Sequence, residues 1–177
     1  MHGFSIIAAV DSQGGIGKNG KLPWRLKGDM RHFQSITVGS RSDGQTNAVI
    51  MGRKTWESLP EKFRPLPERL NVVVTRQAEY SLPSNALKAG SLDEALEILD
   101  HRNDINNVFV IGGAELYRLA IQHNACERVY ISAVKGDFGC DVFFPDIPKN
   151  FGISDSSDEA EEGDIRYRFV TYTRQAK

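Results

Sequence analysis

The chain has 177 residues, 40% hydrophobic and 25% charged, with 22 Lys/Arg against 23 Asp/Glu. One globular domain spanning 1–177 is expected, and a disordered chain is excluded. Two cysteines, Cys126 and Cys140, form no CxxC pair, which excludes a disulfide miniprotein and favours a reducing compartment such as the cytoplasm.

Phe4 to Val10 is an apolar run that reads as a buried strand. It is too short, and lacks the basic flank, to be a signal peptide, and no stretch nears the ~20 apolar residues of a membrane span. A loop rich in glycine (Gly14, Gly15, Gly17, Gly20) runs on to Pro23 and suggests a mobile backbone or one that approaches a ligand closely. Arg25 to Ile36 reads as a helix, with Leu26, Met30, Phe33 and Ile36 near helical spacing. Gly39 to Thr46 reads as a polar loop, Ala48 to Met51 as a strand, and Lys54 to Ser58 as a short helix. Pro60, Pro65 and Pro67 mark a rigid connector. Asn71 to Thr75 is a third strand, β-branched from Val72 onward. Leu92 to Leu99 is a helix capped by Ser91, with Glu94 completing a capping box. Val108 to Ile111 is a strand, Gly112-Gly113 opens a helix over Ala114 to Ile121, and Val129 to Val134 is a further strand. Ile165 to Thr173 alternates like a strand with one wet face, and the acidic, serine-rich stretch before it reads as an exposed hairpin tip. Strands alternating with helices predict a single α/β domain: a central, mostly parallel sheet flanked by helices, with a C-terminal antiparallel strand.

The near-neutral total hides an asymmetry. Residues 1–76 carry 12 Lys/Arg against 6 Asp/Glu, and residues 77–177 carry 10 against 17. The front segment suits an anionic ligand, but no Lys/Arg run is dense enough to track a nucleic-acid backbone.

Open α/β sheets bind ligands beyond the carboxyl ends of their strands. Three such ends share one chemistry: Gly52-Arg53-Lys54-Thr55, Thr75-Arg76 and Gly112-Gly113-Ala114. Unpaired N–H groups at helix starts, glycines that admit close approach and arginine forks all suit phosphate. Each alone is an ordinary turn or a solvated arginine; together they suit a ligand with several phosphates, such as a dinucleotide. Neither a Rossmann GxGxxG nor a P-loop is present.

Asp29 lies three residues after Leu26 and four before Phe33, on an apolar helix face. A carboxylate there is either a partly exposed acid at the edge of the stripe or a functional group, and periodicity leaves both open. In a pocket it would clamp an amidine-like edge, N–H beside NH₂, through two parallel bonds. The histidines (His2, His32, His101, His123) show no metal-binding spacing, so no metal is expected, and no GxSxG elbow occurs.

At these residues the sequence resembles dihydrofolate reductase. The matching segments are Ile6 to Val10, Gly15-Ile16-Gly17, Leu22-Pro23-Trp24, Asp29 to Phe33, Val49 to Ser58, Arg69-Leu70-Asn71, Ile111-Gly112-Gly113 and Phe143-Phe144-Pro145. Leu59 to Leu66 and the polar loop before Asn47 look like the eukaryotic branch, in its monofunctional form with no thymidylate synthase partner. The resemblance implies NADPH-dependent reduction of 7,8-dihydrofolate, a cytoplasmic monomer, and a site that antifolate inhibitors share with the substrate. It implies that Asp29 holds the pterin, that Trp24 orients a water beside it, and that Ser132 and Leu22 belong to the catalytic surroundings. Ile7, Phe33, Leu59, Leu66 and Ile111 would pack around the substrate rings, and Arg69 would pair with its glutamate carboxylate. Ala9, Ile16 and Gly17 would hold the nicotinamide, and Gly52, Arg53, Lys54 and Thr55 would lie along the phosphates. Thr75 and Arg76 would meet the 2′-phosphate. Gly112, Gly113, Ala114 and Glu115 would face the pyrophosphate, with Tyr117 by the nicotinamide ribose. Three positions depart from the family pattern: Ser132 for a usual Thr, Val142 for a common Thr, and Glu115, whose charge the phosphates do not favour. A pyrimidine or deaminoriboflavin reductase shares the fold but should lack the Asp29 clamp and Arg69. A binding module without turnover is the remaining alternative.

Overall fold

The computed structural model describes residues 3–40 and 44–176. The strands are β1 (Phe4–Val10), β2 (Gly15–Gly17), β3 (Thr46–Gly52), β4 (Arg69–Val74), β5 (Ala86–Ala89), β6 (Ile105–Val110), β7 (Cys126–Val134), β8 (Val142–Phe143), β9 (Phe151–Ser156), β10 (Ala160–Glu162) and β11 (Ile165–Arg174). The helices are α1 (Lys27–Val38), α2 (Arg53–Ser58), α3 (Leu92–Asp100) and α4 (Ala114–Gln122), with a 3₁₀ turn at Glu61–Phe63. One large sheet runs β10-β11-β7-β1-β6-β3-β4-β5, and β9 adds to the outer edge of β11. From β7 to β5 every pairing is parallel, whereas β11 runs antiparallel to β7, β9 and β10. The predicted α/β domain with an antiparallel C-terminal strand is what forms.

The two-residue period of the strands sorts the core into two layers. Ile6, Ala8, Ala48, Ile50, Val72, Val108 and Val110 face α3 and α4, meeting Leu92, Leu96, Leu99, Leu116 and Ile121. Their neighbours Ile7, Val49, Met51, Val73 and Phe109 point the other way, toward Phe33 and Ile36 of α1 and Trp56 of α2. Strands buried on both faces read as unbroken apolar runs, as those of a covered parallel sheet do. Burying each Val, Leu, Ile, Phe or Met side chain among these contributes about 1.5–3 kcal/mol.

Several sequence expectations need correction. The sequence pattern gives no strand between β4 and α3, yet Ala86–Ala89 forms the four-residue β5, which among the described residues pairs with β4 alone. The glycine-rich loop contains β2, which pairs with β8 rather than running free. The acidic stretch is not all hairpin tip, because β9 reaches Ser156 and β10 spans Ala160–Glu162. Ser91 caps α3 by accepting from the Glu94 N–H (3.1 Å), but the Glu94 carboxylate accepts from Gly90 N–H (2.7 Å), one residue ahead of the expected partner. Met30 is 53% exposed and lies off the buried face of α1, because Thr37 and Ile36 carry that face on instead. Of the predicted polar loop, 41–43 lie outside the described residues, as does His2. No helix among the described residues is long and apolar enough to cross a membrane.

Candidate active site

Helix α1 carries Asp29 in its first turn, and both helix ends are held by side chains from outside the helix. Leu26 at the N-cap supplies no side-chain bond. The Glu162 carboxylate of β10 substitutes for one, accepting from the Lys27 N–H (2.8 Å) and the Gly28 N–H (3.1 Å). A negative group suits a helix start, and these two bonds hold the Glu162 carboxyl below its ordinary range. At the other end, buried Asn47 of β3 donates to the carbonyls of Thr37 and Val38 (3.0 Å each) and accepts from the Asn107 N–H (3.0 Å). Gly28 leaves room for the Tyr167 hydroxyl, which occupies the place a Cβ would take. Helix and sheet are therefore tightly registered where Asp29 projects.

Burial raises the Asp29 carboxyl above the ordinary aspartate value, against the hydrogen bond from Ser132 and the nearby His32 charge, which lower it. Burial lowers His32 in turn, with Asp29 opposing, and the His32 ring stacks on Phe169 at 3.7 Å. Trp24 is buried, and among the described residues its Nε1 is the one buried side-chain nitrogen or oxygen without a hydrogen-bond partner. An indole N–H left dry costs free energy, so it is a donor suited to a water or a ligand.

The expected substrate residues converge. Ile7 and Leu66 belong to one apolar cluster, against which Phe33, Leu59 and Ile111 pack. Arg69 lies over the Phe33 ring (5.9 Å) and donates to Thr37 Oγ1 and the Pro67 carbonyl (2.9 Å each), which aims its fork. Leu22 is 53% exposed and joins no apolar cluster among the described residues.

The expected cofactor residues converge in part. The ends of β3 and β6 meet where Gly52 N–H donates to the Gly112 carbonyl (2.8 Å). Gly112, with φ +130°, and Gly113, joined by a cis peptide, lie against Thr55: a Cβ on either would sit 3.4 Å from Thr55 Oγ1. This bare-backbone cradle beside Arg53, Lys54 and the α4 start fits a pyrophosphate group. Arg53 is engaged by Glu57 (2.9 Å), and Thr75 Oγ1 accepts from the Gln77 N–H (3.1 Å). Ala9 and Ile16 fall in different apolar clusters, while Gly17 pairs with Val142 across β2 and β8. The Tyr117 hydroxyl bonds to the main chain. It lies 2.8 Å from the carbonyls of both Ile7 and Ile111, tying β1 to the end of β6, and burial raises it well above the usual phenol range.

Three positioning groups escaped the sequence reading. Glu162 and Asn47 hold α1. Asp11 organises the glycine-rich loop, accepting from the N–H groups of Gln13, Gly15 and Phe138 (2.8–3.1 Å). Burial would raise its carboxyl, but those donors and Cys140 prevail and hold it low. An acid near turn glycines was the only available signal for Asp11; nothing local pointed to Glu162.

The family model described as "Dihydrofolate reductase" matches residues 3–174. The chain belongs to the dihydrofolate reductase family. It is 40% identical to the dihydrofolate reductase of Aedes albopictus over 186 residues, covering all of both chains. It is 39% identical to that of Heliothis virescens, across 96% of each. The solved Schistosoma mansoni dihydrofolate reductase superposes with a TM-score of 0.84 at 33% identity, covering 98% of this chain and all of that one. The fold and the enzyme class of this dihydrofolate reductase-like domain therefore agree with the resemblance read from its motifs.

Proposed function

We propose that the chain reduces 7,8-dihydrofolate to 5,6,7,8-tetrahydrofolate, oxidising NADPH to NADP⁺ and consuming one proton. The observation that carries this reading is the half-buried Asp29 carboxylate, bonded to Ser132 and one helical turn before Phe33, which packs with Leu59 and Ile111 against the cluster that holds Ile7 and Leu66. NADPH, when bound, supplies the hydride, from nicotinamide C4 to pterin C6. Asp29 accepts two parallel N–H bonds from the pterin, at its 2-amino group and N3, which fixes the ring in plane. Weak solvation makes the buried carboxylate a stronger acceptor. Its negative charge also favours a proton arriving at N5. The Trp24 indole N–H, free of any protein partner among the described residues, holds the water that delivers that proton. Ser132, through its hydrogen bond, and the nearby His32 charge favour the ionised form of Asp29 against the effect of burial. Arg69, aimed by Thr37 and Pro67, takes the glutamate carboxylate. The Gly52–Gly112–Gly113 cradle, Thr55, Arg53 and Lys54 would hold the pyrophosphate, and Thr75-Arg76 the 2′-phosphate. Two free cysteines, Cys126 and Cys140, support a reducing compartment, the cytoplasm.

The Asp29→Asn variant tests the assignment. It keeps the shape of the clamp but loses its charge and one acceptor. We expect turnover at neutral pH to fall about 10²–10⁴-fold, with NADPH affinity unchanged. A near-normal rate refutes the role.

A further inference from the structure

Arg76 follows the end of β4, and Glu115 stands in the first turn of α4. β3 lies between β4 and β6, the strand before α4, and the two side chains meet across it, with Arg76 Nη2 3.1 Å from Glu115 Oε1. Both are largely exposed, at 87% and 65%. The pair is therefore displaceable: exposed ion pairs are weak and screened by salt. Yet it occupies the Arg76 fork, whose parallel N–H groups are the part that recognises a phosphate monoester. The neighbouring cation, Lys88, is already held by the carbonyls of Ala78 and Tyr80. The helix dipole favours a carboxylate where Glu115 stands, so Glu115 is well placed to hold on to Arg76.

We infer that Glu115 is a built-in competitor for Arg76, a specificity-determining residue that weakens binding of a 2′-phosphorylated dinucleotide relative to its 2′-hydroxyl counterpart. This rests on the reading of Arg76 as the 2′-phosphate residue. A 2′-phosphate must displace the Glu115 carboxylate from the guanidinium and then tolerate its charge nearby. A 2′-hydroxyl displaces nothing and leaves the ion pair closed. Both cofactors carry the pyrophosphate, so its repulsion from Glu115 cancels in the comparison. Neutralising Glu115 therefore increases the preference for NADPH over NADH.

The test is equilibrium binding to the full chain, followed by quenching of tryptophan fluorescence. The probes are NADPH, NADH and adenosine 2′,5′-bisphosphate, at one fixed ionic strength. Wild type, Glu115→Gln, Arg76→Ala and the double variant are compared. Glu115→Gln should tighten NADPH and the bisphosphate roughly three- to tenfold and change NADH less than twofold. Arg76→Ala should lower the NADPH/NADH preference, and Glu115→Gln should add clearly less preference in that background than in wild type, since only the direct repulsion of the 2′-phosphate is then relieved. If Arg76→Ala lowers the preference but Glu115→Gln leaves it unchanged or lowers it, Glu115 is no competitor and instead positions the arginine. If Arg76→Ala leaves the preference intact, the 2′-phosphate reading itself falls, and the inference with it.

Discussion

Asn71 is fully buried at the start of the inner part of β4, and its amide secures the turn that presents two substrate residues. Its Oδ1 accepts from the Leu66 N–H (2.8 Å), and its Nδ2 donates to the carbonyls of Leu66 and Arg69 (3.0 Å each). Asn71→Ala removes all three bonds at once. At about 1 kcal/mol net for each bond, the loss is about 3 kcal/mol, and the stranded polar groups of Leu66, itself buried, push it toward about 5 kcal/mol. A domain of this size shifts its melting midpoint by roughly 2–4 °C per kcal/mol, so a fall of roughly 6–12 °C or more is expected. Function should report the same disturbance. Leu66 and Arg69 lose their fixed positions, so KM for dihydrofolate should rise several-fold while kcat moves little. Differential scanning calorimetry and initial-rate kinetics at neutral pH measure both. A midpoint within about 2 °C of wild type, with unchanged KM, would show that the turn does not depend on Asn71.

Asp29→Asn should stabilise the fold at neutral pH. A carboxyl whose folded pKa is raised contributes stability below its unfolded pKa and loses it as pH climbs through the folded value, at about 1.4 kcal/mol per unit of elevation. The advantage of the Asn variant should therefore grow with pH above the ordinary aspartate range and level off once Asp29 is fully ionised. A difference independent of pH, measured by denaturant titration, would contradict the burial. Glu162→Ala should lower the melting midpoint by about 2–4 °C through loss of the α1 cap, and Glu162→Gln should recover part of it. An unshifted Glu162→Ala midpoint would mean that the first turn of α1 is held by other groups. Arg69→Leu should weaken dihydrofolate binding at least tenfold more than binding of a small pteridine without glutamate. Equal losses would remove Arg69 from the glutamate site.

Much of this architecture was readable because its signals are local. The unbroken apolar runs of β1, β3 and β4 announce a covered parallel sheet, and the Leu92, Ala95, Leu96, Leu99 spacing announces α3. What stayed hidden depends on partners far apart in the chain. β5 is short and becomes a strand only because β4 offers it an edge. Glu162 looked like one more solvated acid, since nothing near it shows that α1, 134 residues away, ends without a cap of its own. At the site, the glycines and basic residues could be placed on strand ends from pattern alone. Their present engagements could not: Arg76 is paired with Glu115, and the Tyr117 hydroxyl is spent on Ile7 and Ile111. Both depend on the strand order: β1 beside β6 for Tyr117, and β4 separated from β6 by β3 alone for Arg76 and Glu115.

The absorbance of NADPH at 340 nm in the presence of the purified chain tests most directly whether it turns dihydrofolate over. NADPH should be consumed only when dihydrofolate is added, in one-to-one stoichiometry with tetrahydrofolate formed. Binding of both ligands with no consumption would contradict it and leave a ligand-holding domain without turnover.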